Sequence, residues 1–218
     1  MNSPVPQHPP LRLELCRGAS PQGCPQALWQ DAALPAALRD AADALGWPKY
    51  LRSLTTGPLP RHLGFAVSLC GCANGCSRPH IAALGLIPGR SPGWDAASCD
   101  CCRACVQACR ENALRLEDHG LAIDRDACLR CGACLKACQA GALACAAQGY
   151  RVLIGGRLGR RPRLARELPG LYSPTAVLTV LRRSLELMMS RKDPAVRFAE
   201  AIDAAGADFM ASLEMLGK

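Results

Sequence analysis

Aromatic side chains are scarce in this chain: three tryptophans, three tyrosines and three phenylalanines make up 4% of its 218 residues. Half of the residues are nevertheless apolar, so a core of leucine and alanine is within reach. A nucleic-acid surface on which bases stack between arginines is not. Long apolar runs are also lacking. No stretch approaches the ~20 uninterrupted apolar residues of a membrane helix. The opening Met1-Asn-Ser-Pro-Val-Pro-Gln-His-Pro-Pro10 has neither the charged start nor the apolar middle of a secretory signal. A cytoplasmic protein with no membrane and no nucleic-acid partner is expected, and proline-rich residues 1–10 read as a disordered lead-in.

Cysteine, by contrast, is abundant, with 15 in the chain. A disulfide framework needs an oxidising compartment, which nothing in the sequence supports, and cysteines without export fit metal ligation. Residues 99–138 carry the densest pattern: Cys99, Cys102, Cys105 and Cys109, then an 18-residue spacer, then Cys128, Cys131, Cys134 and Cys138. Each run has gaps of two, two and three residues. Three closely spaced thiolates wrap one face of a cubane iron–sulfur cluster, and the fourth arrives from elsewhere. In two-cluster ferredoxins the last cysteine of each run serves the other cluster. The spacing therefore assigns Cys99, Cys102, Cys105 and Cys138 to one [4Fe-4S] cluster, and Cys128, Cys131, Cys134 and Cys109 to a second. A tetrahedral zinc site would make the third cysteine of each run redundant. The formal charge of +8 is weak support for an acidic partner, because each four-thiolate cube contributes roughly −2 and three bring the total to about +2.

Around this module the pattern is different. Residues 11–15 and 62–69 read as strands, and 81–87 as a strand or short helix. Residues 25–45 read as helical with an interruption at Pro35, closed by Gly46-Trp47-Pro48. Residues 88–94, rich in glycine and proline, read as a linker. Residues 113–117 and 121–124 flank a turn at Asp118-His119-Gly120 and suggest a hairpin. Residues 150–154 form a further strand, ahead of a stretch with arginines at 157, 160, 161, 163 and 166. Apolar spacing predicts helices from Pro174 to Met189 and from Pro194 to Leu216, with Ser173 and Asp193 as N-caps. The expected organisation is a ferredoxin domain, 99–147, inserted into a second domain made of 11–98 plus 148–218.

Seven cysteines lie outside the two runs. Cys16 and Cys24 bracket a Gly/Pro loop after the first strand, and Cys72 and Cys76 bracket a Gly/Asn loop after the second. Adjacent loops of this kind can gather four thiolates around a third cubane, or the four can be small buried hydrophobes. Cys70, Cys101 and Cys145 read as core residues or spare thiols, and His80 as structural.

Gly71-Cys72-Ala73-Asn74-Gly75-Cys76-Ser77-Arg78-Pro79 resembles the signature loop of sirohaem-dependent sulfite and nitrite reductases. Tyr150 to Ala165, with its strand and glycine loop, is similar to a later segment of that family, and an inserted two-cluster ferredoxin resembles that of anaerobic and dissimilatory sulfite reductase subunits. The resemblance implies an α+β fold: an α/β sandwich of the nitrite/sulfite reductase type interrupted by a bacterial-type ferredoxin domain. It implies that Cys16, Cys24, Cys72 and Cys76 hold a third [4Fe-4S] cluster, with Cys76 bridging to sirohaem. Asn74, Arg78, Arg157 and Arg160 are the implied loop and carboxylate contacts of the haem, and sulfite or nitrite the implied anion. Two departures stand out. Seven residues separate Cys16 from Cys24 where the family usually has five, and the half-domain that normally supplies substrate-gripping Arg and Lys has no counterpart here. A second subunit or second copy is then expected to complete the pocket, with redox proteins as donors. The alternative is a haem-free, ferredoxin-like electron carrier without a catalytic site.

Overall fold

The computed structural model describes residues 10–55, 57–60, 62–118, 120–191, 193 and 196–217. Its main sheet has the order β1-β2-β3-β6-β7: β1 is Leu11–Leu15, β2 Phe65–Leu69, β3 Leu84–Trp94, β6 Leu143–Ile154 and β7 Arg166–Glu167. The first three strands run parallel, and β6 and β7 are antiparallel to their neighbours. Alternation along the strands separates two faces. Phe65, Val67, Leu69, Leu84, Leu86, Tyr150, Val152 and Ile154 point into one large core. Helices α1 (Leu34–Ala44), α2 (Trp47–Ser53), α5 (Pro174–Ser190) and α6 (Phe198–Glu214) supply the rest of that core. The opposite face carries a small cluster of Cys70, Ile87 and Leu153, against which Cys16 and Ala165 pack.

The expected strands at 11–15, 62–69 and 150–154 are present, although β2 starts at Phe65. Four expectations need correction. Residues 25–33 are turns and bends rather than helix, because Asp31 Oδ1 accepts from Leu34 N at 3.0 Å and starts α1 there. Trp47 opens a helix instead of closing one. Residues 88–94 are strand, not linker. The pairing of β3 with β2 ends at Leu86, so the flank of β3 at Pro88 is an edge where a missing N–H costs nothing. Finally, α6 begins at Phe198 with Arg197 as N-cap and is broken at Gly206, where φ is 75° and ψ −165°. Asp193 therefore caps no helix start, and Pro194, like residues 1–9 and His119 of the predicted turn, lies outside the described residues. The α5 expectation matches, with Ser173 accepting from Ala176 N at 3.1 Å.

Strands β3 and β6 form two long rails that leave the main sheet together, pairing from Leu84↔Ile154 to Trp94↔Leu143. Between their far ends lie α3 (Ala104–Ala108), the hairpin of β4 (Leu114–Glu117) and β5 (Gly120–Ile123), and α4 (Ala133–Ala137). This segment has a core of its own, with Leu114, Leu121, Cys134 and Leu143 buried. It is fastened to the sheet by Arg151, only 6% exposed. Arg151 donates through Nε and Nη2 to Glu167 at 2.7 and 2.5 Å and through Nη1 to the Leu129 carbonyl at 3.3 Å. Removing the carboxylate strands a buried cation. Because the Glu167 side chain is one-third exposed, the expected cost of Glu167→Ala is on the order of 2 kcal/mol, below that of a fully buried pair. Urea unfolding measures it.

Candidate metal centre

The hydrogen-bond ladder runs one residue past the ends of β1 and β2. Cys16 N donates to Leu69 O at 3.1 Å, and Cys70 N to Leu86 O at 2.9 Å. Two cysteine loops are thereby delivered side by side. They touch at their glycines, since a Cβ on Gly71 would lie 2.6 Å from the Gly18 carbonyl carbon. Gly71 N donates to Cys16 Sγ at 3.1 Å. The Cys72 thiol is raised above its ordinary range by burial, partly offset by the Asn74 amide, and Cys76, Cys16 and Cys24 push it further up. The four thiols predicted to act together are thus close enough to repel one another as anions. Cys76 and Asn74 face outward, as do Arg78 and His80.

Beneath them lies a feature the sequence reading left without a role. Cys70, 2% exposed, contacts Ser77 Oγ at 3.0 Å. Ser77 donates to Leu69 O at 3.0 Å, and buried Ser68 donates to Ser77 O at 2.6 Å. Burial raises the Cys70 thiol, against the pull of Ser77. This small polar floor fixes the Cys72–Cys76 loop to β2. Of the other unassigned thiols, Cys145 is exposed and donates to Ala147 O at 3.3 Å.

The inserted segment holds two further groups with matching backbones. Cys101 and Arg103, either side of Cys102, have φ of 57° and 62°; Arg130 and Gly132, either side of Cys131, have 53° and 74°. Both curls bend the chain sharply at the middle cysteine, and Cys102 and Cys131 are exposed there. The fourth thiol of each group is held alike: Cys109 Sγ accepts from Ala113 N and Cys138 Sγ from Leu143 N, both at 3.3 Å. Cys99, Cys102, Cys105 and Cys138 line one hollow together with Cys101 and Trp94. Burial raises the Cys105 thiol, with Cys138 and Cys102 adding to the rise. Cys134 is pushed up to about 11 by burial and then by Cys128, Cys131 and Cys109. The Cys99 thiol is lowered, chiefly by the Cys101 amide and then by the Trp94 side chain.

Three sets of crowded thiols fit iron–sulfur clusters by their donor chemistry. Thiolates that repel one another are neutralised by iron, and ligand binding to iron is linked to loss of their protons. Among the described residues no three His, Cys, Asp or Glu side chains group closely enough to hold a single metal ion. The left-handed Arg103 stands where its counterpart is Gly132. Arg103→Gly is expected to stabilise the protein by roughly 0.5–1 kcal/mol, the strain relieved minus the added chain entropy. Thermal unfolding of the two proteins checks it.

The predicted haem-binding arginines are placed unequally. Arg157 and Arg163 exchange backbone hydrogen bonds across a tight hairpin. Arg157 pairs with Glu200 at 2.5 Å and Arg163 with Asp203 at 2.6 Å. Arg160 is exposed at the tip of that hairpin and Arg78 is exposed beside the strand-end cysteines.

A mixed sheet with thiol loops at its strand ends and a cysteine-rich segment carried on two rails defines an α+β protein of the cysteine-ligated redox class. The sequence profile of the nitrite and sulphite reductase 4Fe-4S domain matches residues 20–214, and the chain belongs to that family. It is therefore an iron–sulfur redox protein. The coenzyme F420-dependent sulfite reductase of Methanocaldococcus jannaschii is 39% identical over 101 residues, which are 46% of this chain and 16% of that protein. The fold is similar to the crystal structure of dissimilatory sulfite reductase I, with a TM-score of 0.58 at 17% identity over 94% of this chain and 52% of the other. The NirA protein of Mycobacterium tuberculosis gives 0.50 at 16% identity over 91% of this chain and 26% of the other. The chain thus spans about half, or less, of each of these relatives. No helix among the described residues is long and apolar enough to cross a membrane.

Proposed function

We propose that this chain is a sulfite or nitrite reductase-like component that passes electrons through two ferredoxin-type clusters to a third, sirohaem-coupled [4Fe-4S] site. Cys99, Cys102, Cys105 and Cys138 hold the first cluster, Cys128, Cys131, Cys134 and Cys109 the second, and Cys16, Cys24, Cys72 and Cys76 the third. When bound, the clusters and haem supply the electron storage and multi-electron reduction of a small anion. The protein gathers the thiolates, excludes water behind them and orders the three sites.

The observation that carries this reading is one short contact zone. Leu28 N donates to Gly71 O at 2.9 Å within the strand-end site, while a Cβ on Gly132, between Cys131 and Cys134, would lie 3.4 Å from Leu28 Cδ2. Arg90 N donates to Arg130 O at 2.7 Å in the same zone, and its guanidinium lies 5.9 Å from the Trp29 ring centre. The loop that carries Cys131 and Cys134 therefore touches Leu28, which is itself bonded to the strand-end loop, an arrangement that supports ordering the second set next to the third and the first beyond it along the rails. A donor protein docks at that far end, and a second subunit or second copy closes the haem pocket around Arg78 and Arg160.

Absorption spectroscopy of protein supplied with sirohaem, followed by sulfite- or nitrite-dependent reoxidation, tests the reading. A haem band whose reoxidation responds to the anion supports it. The absence of haem binding leaves the second reading, a haem-free electron carrier. The pairing of Arg157 with Glu200 favours that alternative, because one of the arginines implied for the haem is already paired with a carboxylate of the protein.

A further inference from the structure

The three tryptophans differ in one respect. Trp29 Nε1 donates to Tyr150 Oη at 3.4 Å and Trp47 Nε1 to the Pro10 carbonyl at 3.0 Å. Trp94 Nε1 is buried and makes no hydrogen bond of normal length; the group it acts on is the Cys99 thiol, which the Cys101 amide and then this indole lower. A buried donor left unpaired is costly, and a native structure rarely keeps one without a use.

Trp94 is also held firmly. It closes β3 opposite Leu143, whose own N–H donates to Cys138 Sγ. On its other side stands Gly120, with φ of 123°, where any Cβ would overlap Trp94 Cη2. The indole cannot retreat from the hollow it lines with Cys99, Cys102, Cys105 and Cys138, and the remaining walls there include apolar Leu116, Leu121 and Ala142. In so apolar a wall, one directed N–H has a large electrostatic effect.

We propose that the Trp94 indole N–H donates a hydrogen bond to the iron–sulfur cluster held by Cys99, Cys102, Cys105 and Cys138, and so raises that cluster's reduction potential. A cluster gains negative charge on reduction, so a donor aimed at its sulfur stabilises the reduced form more than the oxidised one. Trp94 is a positioning residue for electron entry, and the proposal rests on the assignment of a cluster to this hollow.

The test is a redox titration of anaerobically reconstituted protein, followed by electron paramagnetic resonance, with Trp94→Phe keeping one six-membered aromatic ring and deleting the pyrrole ring with its N–H. One cluster couple is expected to move to more negative potential while the others stay. Couples that all keep their wild-type potentials overturn the proposal. Should the variant fail to assemble, the wild-type protein labelled at the indole nitrogen decides: hyperfine coupling of one tryptophan nitrogen to a reduced cluster supports the bond, and no coupling overturns it. Wild-type protein whose Cys102→Ser variant loses no iron shows instead that this hollow holds no cluster, and both the assignment and the proposal fall.

Discussion

Gly71→Ala is expected to unfold much of the strand-end site and to release whatever iron it holds. A Cβ at this position meets the Gly18 carbonyl carbon at 2.6 Å, its oxygen at 2.7 Å and its Cα at 2.8 Å. All three are backbone atoms of the facing loop, so no side chain can swing aside. Relief requires the two cysteine loops to part, which breaks the Gly71 N–H contact to Cys16 and disturbs the bond from Leu28. The expected cost is about 3 kcal/mol or more, at the upper end of overpacking. Gly57→Ala is the control, because nothing lies within 4 Å of the added atom, and its stability should stay within about 0.5 kcal/mol of wild type. Chemical unfolding together with iron content reads both effects.

Stripping the iron is expected to unfold the inserted segment while the main sheet stays folded. Among the described residues the hydrophobic cluster of the segment is formed by four buried side chains, one of them Cys134, with Cys105, Cys109 and Cys138 packed around them. A core so small needs a metal staple, and binding energy released by thiolate–metal bonds, on the order of 10 kcal/mol for structural zinc, becomes folding energy here too. The main core, by contrast, has twenty-five buried residues among those described and owes nothing to thiolates except at its strand ends. Limited proteolysis of chelator-treated protein should cut between β3 and β6 and spare the body. Protection of that segment in iron-free protein would mean that its thiols are ordinary core residues.

Much of this was legible in the sequence because local rules and tertiary demands coincide there. Alternation marks β1, and Ser173-Pro174 marks the start of α5. The resemblance of the Cys72–Cys76 loop led to the family. Elsewhere tertiary context overrode the local pattern. Pro88, Gly89, Pro92 and Gly93 look like a linker, yet they run along a strand whose outer flank is an edge and whose register shifts between Ser91 and Pro92. Residues 25–33 have helical spacing, but Leu28 instead bonds to Gly71 and Trp29 stands edge-on to Tyr150 at 5.6 Å. These contacts pull the chain across the sheet edge. The roles of Cys70 and Trp94 have no sequence signal at all. Each depends on how the chain folds back on itself, which brings Ser77 to Cys70 and Gly120 to Trp94.

The account stands or falls on three sets of four thiolates holding three cubanes. Iron and acid-labile sulfide counts on anaerobically purified protein test this most directly. The prediction is about twelve of each per chain, with a thirteenth iron when sirohaem is bound. A Cys72→Ser variant should retain about eight. A wild-type count of about eight, unchanged by Cys72→Ser, would contradict the account, because the strand-end thiols would then hold no cluster.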